Sequence, residues 1–123
     1  MSADTRRPRS VYSVGEDADP RFSLANERTL LAWLRTALAF VVTGLALAAA
    51  RRLVEGDWVP AVAAAAVVVG AVLAPWSYAR WSACERALRL RQPLPAPTIA
   101  LPVVAGVLAL AAIAVVELVS ELS

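Results

Sequence analysis

Residues 30–50 read LLAWLRTALAFVVTGLALAAA and contain a single charged side chain, that of Arg35. As a helix this run is about 31 Å long at 1.5 Å per residue, which is enough to cross the hydrocarbon core of a bilayer. Two further apolar runs follow, one without a charge over residues 58–79 and one from Thr98 to Glu117. These runs predict an all-α membrane protein with three transmembrane helices, at about residues 24–50, 58–80 and 98–119.

The composition also indicates a lipid environment. Of the 123 residues, 59% are hydrophobic, and the mean hydropathy is +0.62. A soluble domain of this size buries too little of its surface to hide such a fraction of apolar side chains. We therefore expect membrane lipids as the surroundings of the chain, and no nucleic-acid partner.

The chain contains few of the side chains that commonly act in catalysis or bind metal ions. The chain has no His and a single Cys, Cys84. Histidine is the commonest metal ligand and general base, and without it Cys84 lacks the usual base that activates a cysteine nucleophile. We expect no enzymatic activity, no catalytic residue, no metal site and no cofactor, and we expect Cys84 to be an unreactive spectator.

The first 19 residues differ from the rest of the chain. They are rich in Arg and in acidic side chains and poor in apolar ones, which predicts a disordered or weakly ordered polar arm. A transmembrane domain is expected over residues 20–123, with Asp19 as the N-cap of its first helix and Pro20 as the first helical residue. Because residues 1–29 contain no apolar signal-peptide core, the first span is expected to act as its own insertion signal.

The arginines predict the orientation in the membrane. Two arginines lie between the first and second spans, whereas nine others flank the first span at its start or lie between the second and third spans. Arginine accumulates on the cytoplasmic side of membrane proteins, so we expect a cytoplasmic N-terminus and an external C-terminus. The nine are Arg6, Arg7, Arg9, Arg21, Arg28, Arg80, Arg86, Arg89 and Arg91.

Three arginines of the first helix share one face. Arg21, Arg28 and Arg35 recur every seven residues, so on a helix they drift by only about 20° per repeat. We call them the arginine stripe. Small residues lie on or near the same face, and we call four of them the alanine row: Ala25, Ala32, Ala39 and Ala46.

Two interpretations of the arginine stripe remain open. Arg28 and Arg35 lie near the predicted cytoplasmic end, so their side chains can reach lipid phosphates or neighbouring carbonyl groups, and the residues alone favour this interpretation. Alternatively, the stripe lines a pore or vestibule in a symmetric oligomer and attracts an anion such as phosphate or polyphosphate. Glu27 and Glu85 are the acids expected on the same side, so each is a candidate ion-pair partner of Arg28 or Arg35.

The run RFSLANERTLLAWLRT at residues 21–36 is similar to the signature of the YidH-like family, whose members are small three-span bacterial inner-membrane proteins grouped under a domain of unknown function. The resemblance covers nearly the whole chain beyond the arm. It extends to the membrane domain of the eukaryotic vacuolar transporter chaperone complex, in which three-helix subunits form a pentamer that passes polyphosphate along basic residues. The resemblance implies a homo-pentamer with Arg28 at the cytoplasmic mouth, and Arg80 as a looser candidate for a second ring. Arg35 follows only the bacterial pattern.

The function expected from the sequence is therefore that of a homo-oligomeric inner-membrane protein, acting as a channel or transporter. Its anion-binding residues are expected to be Arg28, Arg35, Arg21 and Arg80. The alternative is an accessory or scaffold subunit that docks another membrane protein.

Overall fold

The computed structural model describes residues 4–98 and 100–123, and regular structure within these ranges is entirely helical. A short helix α1 (Arg9–Tyr12) precedes three long ones, α2 (Pro20–Ala50), α3 (Val59–Arg89) and α4 (Ala100–Glu121). Each of the three is long and apolar enough to cross a membrane, which confirms the predicted all-α fold with three spans.

The ends of α2 and α3 are defined by local backbone chemistry. Asp19 caps α2, because its carboxylate accepts the backbone N–H of Arg21 at 2.9 Å, and Pro20 takes the first helical position as predicted. At the end of α3 the N–H of Gln92 bonds the carbonyl of Ala87, and the N–H of Arg91 bonds that of Leu88. This is a Schellman cap, with Arg91 in the left-handed region at φ 54°. α3 therefore continues nine residues beyond residue 80, where the membrane-spanning part was expected to end.

α2 and α3 form an antiparallel hairpin whose two helices have 31 residues each. The residues that each helix turns toward the other recur at spacings of three and four, as in a coiled coil. Those of α2 are Ser23, Asn26, Leu30, Trp33, Ala37, Phe40, Gly44 and Leu47, and those of α3 are Ala63, Ala66, Gly70, Leu73, Ser77, Arg80, Cys84 and Ala87.

Two glycines bring the backbones of the hairpin together. A Cβ atom added at Gly44 would lie 2.6 Å from the carbonyl oxygen of Ala63, and one added at Gly70 would lie 2.6 Å from that of Ala37. Small residues favour such close helix pairs in lipid, where apolar burial supplies little attraction between helices. Each helix thus contributes one glycine against the backbone of the other.

The hairpin gathers most arginines at one end, where the start of α2 meets the end of α3. We call this the arginine-rich end. It carries Arg21 and Arg28 from α2 and, from α3 and the residues just after it, Arg80, Arg86, Arg89 and Arg91.

The arm folds against the end of α3, which departs from the expectation of a disordered or weakly ordered segment at residues 1–19. Val11 of α1 is fully buried. The buried guanidinium of Arg89 donates to the carbonyls of Val14 (2.8 Å) and Tyr12 (3.3 Å) and to the Asp17 carboxylate. Gly15, at φ 60°, lies against the carbonyl of Arg89, where a Cβ atom would collide. Residues 1–3 of the predicted arm lie outside the described part of the chain.

α4 stands apart from the hairpin. It follows a Pro-rich linker at residues 92–97, and none of its residues in the apolar window is buried. Within the described ranges, close packing between helices is confined to α2 with α3 and α1 with α3. One side chain of α4, Val103, touches the small cluster formed by Ala37 and Leu73.

Candidate functional site

The arginine stripe lies on the outer face of α2. The stripe is about 170° around the helix from the row that meets α3, so all three side chains point away from the hairpin contact and are exposed. Arg21 is 88% exposed and pairs with Asp19 at 2.9 Å. Arg28 and Arg35 form neither an ion pair nor a side-chain hydrogen bond with any residue in 4–98 or 100–123. The structure therefore leaves these two guanidinium groups available to a partner outside the protomer.

The surface beside the arginine stripe is formed by small residues and threonines. All four members of the alanine row are exposed, about 20–60° around the helix axis from the neighbouring arginines. Three threonines border the row at the same seven-residue spacing: Thr29 donates its hydroxyl hydrogen to the carbonyl of Ala25 (3.1 Å), Thr36 donates to that of Ala32 (3.2 Å), and Thr43 is exposed. The donors of Thr29 and Thr36 are used within α2, so this face presents the arginines and the hydroxyl group of Thr43.

Arg80 lies in a different place from the arginine stripe. It is half-buried on α3, and its Nη1 donates to the carbonyl of Ala96 at 3.0 Å, which ties the Pro-rich linker to the hairpin. Arg80 also lines a groove of about 230 Å³ between α2, α3 and this linker, with walls that include Trp33 and Trp81. No arginine of the stripe lines this groove, so the structure separates Arg80 from the other three candidates.

The side chain of Glu85 accepts hydrogen bonds from two residues of α2 that were not among the predicted site residues. Its side chain is 5% exposed, and its two oxygens accept hydrogen bonds from Ser23 Oγ (2.6 Å) and Asn26 Nδ2 (3.0 Å). Asn26 also donates to the carbonyl of Trp81 at 3.1 Å. The candidate ion pair of Glu85 with Arg28 or Arg35 is not formed here, and Glu27 is exposed without an ion pair among the described residues.

A sequence signal for this cluster does exist. Ser23 and Asn26 begin the three-and-four spacing that continues through Leu30 and Trp33, so they occupy the same face as the apolar contact residues. Polar residues at such positions commonly specify register between helices. The pattern predicts that they face a helix, but it does not say which polar residue of that helix receives them.

Acidic groups of the arm are held in their charged form by arginine. Hydrogen bonds from Arg6 and then Arg89 lower the pKa of Asp17 from its ordinary value of 3.8. Hydrogen bonds from Arg6 lower the pKa of Asp4 to about 2. Arg6 bonds both carboxylates at 2.7 Å and lies over the ring of Tyr12, so one arginine links the two ends of the arm.

The sequence model of the family described as "Domain of unknown function (DUF202)" matches residues 21–87 of the chain. The inner membrane protein YidH of Escherichia coli (strain K12) is 40% identical over 89 residues, which cover 69% of this chain and 75% of that protein. An uncharacterized protein of Mycobacterium tuberculosis (strain ATCC 25618 / H37Rv) is 41% identical over 83 residues, which cover 64% of this chain and 66% of that protein. No solved structure matches the chain significantly.

The family match coincides with one part of the fold. Residues 21–87 hold the arginine stripe, Arg80 and the Glu85 cluster, and together they make up nearly all of the α2–α3 hairpin. The arm, Arg89 and α4 lie outside the matched residues. The hairpin is therefore the part of the molecule that the family model matches.

Proposed function

The chain belongs to the YidH-like family of inner-membrane proteins defined by DUF202, and from this premise we propose that it is a non-enzymatic homo-oligomer whose arginine stripe engages an anionic ligand. The relatives named inner membrane protein YidH and the three apolar helices place it in the inner membrane as a multi-pass protein. The nine arginines of the N-terminal flank and of the second connection lie on the cytoplasmic side in this proposal.

The observation that carries the proposal is the position of Arg28 and Arg35. Both lie opposite the α3 contact, without a partner among the described residues of their own chain. A charged side chain in a membrane helix carries a free-energy cost, and an arginine near the end of a span lowers this cost by reaching water, protein or a phosphate group. An anion at the stripe offsets this cost directly.

In one protomer the arginine stripe faces outward. In the proposed oligomer, neighbouring subunits surround it. A symmetric ring of α2 helices places Arg21, Arg28 and Arg35 in successive rings, roughly 10.5 Å apart along the axis at seven residues per step. We propose a pentamer, in line with the family resemblance to the polyphosphate-passing membrane domain. The alanine row lets neighbouring helices approach closely beside the arginines.

The ligand class follows from the chemistry of the rings. Guanidinium groups bind phosphate oxygens in a bidentate geometry, and a ladder of such groups suits phosphate or polyphosphate moving from ring to ring. In this proposal the protein is a channel or transporter for such anions. Arg80 contributes less, because one of its donors is used by Ala96 and it lies away from the stripe.

Flux in proteoliposomes tests this role. Purified protein is reconstituted, and uptake of radiolabelled phosphate and of a short polyphosphate is measured for the wild type, Arg28→Ala, Arg35→Ala and Arg7→Ala. Arg7 is exposed in the arm and forms no side-chain hydrogen bond with residues 4–98 or 100–123, so Arg7→Ala is the matched control for loss of one positive charge. We expect wild-type flux, a loss of about tenfold or more in the two stripe variants, and no change in the control. Absence of wild-type flux for both probes would contradict the transport role.

One observation favours a second function, that of an accessory subunit. α4 leaves most of its apolar surface uncovered, and this surface offers a contact for another membrane protein. Purification from native membranes in mild detergent separates the two proposals. A monomer that retains one different membrane protein in constant ratio supports the accessory role, whereas a homo-oligomer without such a protein supports the anion-binding role.

A further inference from the structure

The groove between α2, α3 and the Pro-rich linker combines apolar walls with a single charged group. It runs along α2 from Phe22 to Trp33 and along α3 from Ser77 to Leu88, and Leu94 of the linker forms a third wall. These limits correspond to about 16 Å along each helix at 1.5 Å per residue. Because two tryptophans line it, the second being Trp81, we call it the tryptophan groove.

Most polar groups of the tryptophan groove are already used within the protein. Asn26, Thr29 and Ser77 each donate to a group of the hairpin itself, at distances of 2.6–3.1 Å. Arg80 differs from them, because a guanidinium group has five N–H donors and within the described ranges it forms one hydrogen bond, from Nη1 to the carbonyl of Ala96. None of the described residues that line the groove is acidic. Arg80 therefore offers both charge and hydrogen-bond donors to a ligand in the groove.

The depth of Arg80 along the hairpin is that of a lipid headgroup. It is the first charged residue after the uncharged run at 58–79, and the hydrogen bond from Asn26 to the Trp81 carbonyl marks the same level on α2. Trp33 lies seven residues beyond Asn26, so the groove continues about 10 Å from this level toward the apolar middle of the helices. Tryptophan rings are typical of this boundary. The groove thus leads from the headgroup region into the hydrocarbon region.

The charges around the tryptophan groove favour an anionic ligand. The arginine-rich end carries six arginines, whereas the acids of α2 and α3 are Glu27 and Glu85. Basic pockets between membrane helices at this depth bind the headgroups of anionic lipids. The apolar walls also reduce the access of water to the half-buried Arg80. A pair between Arg80 and a phosphate group is therefore stronger than one formed by an exposed arginine.

We propose that the tryptophan groove binds an anionic phospholipid, with its phosphodiester group on the guanidinium of Arg80 and one acyl chain directed along α2 toward Trp33. The site goes beyond the proposed function, because it requires neither the arginine stripe nor an oligomer. The bound lipid fills the space between the two helices and the linker that the hydrogen bond from Arg80 to Ala96 holds beside them.

Lipid binding by the purified full chain tests the site. Delipidated protein in mild detergent is mixed with equal amounts of phosphatidylglycerol and phosphatidylcholine that have the same acyl chains, and native mass spectrometry measures each bound lipid. We expect the wild type to prefer phosphatidylglycerol by about tenfold and Arg80→Gln to lose this preference, because the charge-assisted hydrogen bonds are removed. Arg91→Gln is the control, since Arg91 is an exposed arginine outside the groove, and it should keep the preference. An unchanged preference in Arg80→Gln would contradict the site.

Tryptophan fluorescence locates the lipid without a change at Arg80. Trp58→Phe with Trp76→Phe leaves Trp33 and Trp81 as the fluorescent tryptophans, and both line the groove. We expect phosphatidylglycerol with brominated acyl chains to quench them at about one-tenth of the concentration that brominated phosphatidylcholine requires. Equal quenching by the two lipids would show that the groove does not select an anionic lipid, and the proposal would be wrong.

Two comparisons separate this site from other anion sites. Inorganic phosphate in large excess should leave phosphatidylglycerol bound, and if it displaces the lipid, the groove holds free phosphate and the lipid assignment is wrong. Arg28→Gln should keep the lipid preference. Loss of the preference in Arg28→Gln but not in Arg80→Gln would place the lipid at the arginine stripe and contradict the proposal.

The results for the groove and for the proposed function are independent. A lipid preference that depends on Arg80, found together with an absence of phosphate and polyphosphate flux, supports the groove and contradicts the transport role alone. Flux that depends on Arg28, found without any lipid preference, contradicts the groove alone.

Discussion

Asn26 of α2 donates a hydrogen bond of 3.0 Å to the buried carboxylate of Glu85 in α3. With a second bond to the Trp81 carbonyl, this side chain sets the register of the hairpin at the arginine-rich end. The contact explains why a polar residue stands on the inner face of α2, and it occupies an acid that the sequence alone offered to Arg28 or Arg35. The arginine stripe is consequently left without Glu85 as a neutralising partner.

Replacing Asn26 by Leu leaves one oxygen of a buried carboxylate without its donor. We expect Asn26→Leu to lower the free energy of unfolding by about 1–3 kcal/mol, because an unsatisfied buried acceptor loses its hydrogen bond without regaining water. Thermal unfolding in detergent, followed by circular dichroism, measures the change. Glu27→Gln, at the exposed neighbouring position, is the control and should unfold like the wild type. A double variant Asn26→Leu with Glu85→Leu should recover much of the loss, and failure to recover any would contradict the pairing.

The glycine contacts predict a sharp difference between two alanine substitutions. Gly44→Ala places a methyl group 2.6 Å from the carbonyl oxygen of Ala63, so α2 and α3 must separate, and we expect a loss of about 1–3 kcal/mol. Gly106→Ala adds the same group where nothing lies within 4 Å. The control should therefore unfold at the wild-type temperature or slightly above it. Equal effects of the two changes would show that the close approach at Gly44 is absent.

Arg89 should control whether the arm is docked. Its buried guanidinium holds the carbonyls of Tyr12 and Val14 and the Asp17 carboxylate, so Arg89→Ala removes three contacts at once. We expect amide hydrogen exchange across residues 9–17 to accelerate by about tenfold or more, with α2 and α3 unchanged. Arg91→Gln is the control, because the pair of Arg91 with Glu16 is exposed at 85% and 82% and contributes little. Unchanged exchange in Arg89→Ala would contradict this role.

The pH dependence of arm docking follows from Asp17 and Asp4. Their pKa values are lowered in the docked arm, so the docked state binds fewer protons than the released one. The stabilisation is complete above the ordinary value of 3.8 and is lost as the pH falls through the lowered values, toward about 2 for Asp4. Exchange of residues 9–17 should thus match at pH 7 and pH 5 after correction for the intrinsic rate, and increase near pH 3. Asp17→Asn should weaken docking at neutral pH and reduce this dependence on pH.

The three spans could be predicted because each consists of an apolar run of bilayer length. The second span was expected to end near residue 80, and residues 81–89, which are too polar for the bilayer, continue the helix beyond it into the region that contacts the arm. The arginine stripe was also readable, since seven-residue spacing places Arg21, Arg28 and Arg35 on one face. Docking of the arm could not be predicted, because hydrogen bonds from arginine side chains to backbone carbonyls leave no periodic pattern in the sequence.

The sequence by itself thus determined the three membrane helices and the single arginine face of the first, since length, hydropathy and period depend only on the order of residues. Only the tertiary structure decided which face of α2 meets α3, which acid Asn26 binds, and that α4 stays open. In lipid, the free energy of an apolar side chain changes little when its contacts with acyl chains are replaced by contacts with another helix. Hydropathy therefore does not reveal which helices pack together. The close backbone contacts at the two glycines and the Ser23–Asn26–Glu85 hydrogen bonds determine how α2 and α3 pair. These contacts form only when the two helices lie side by side.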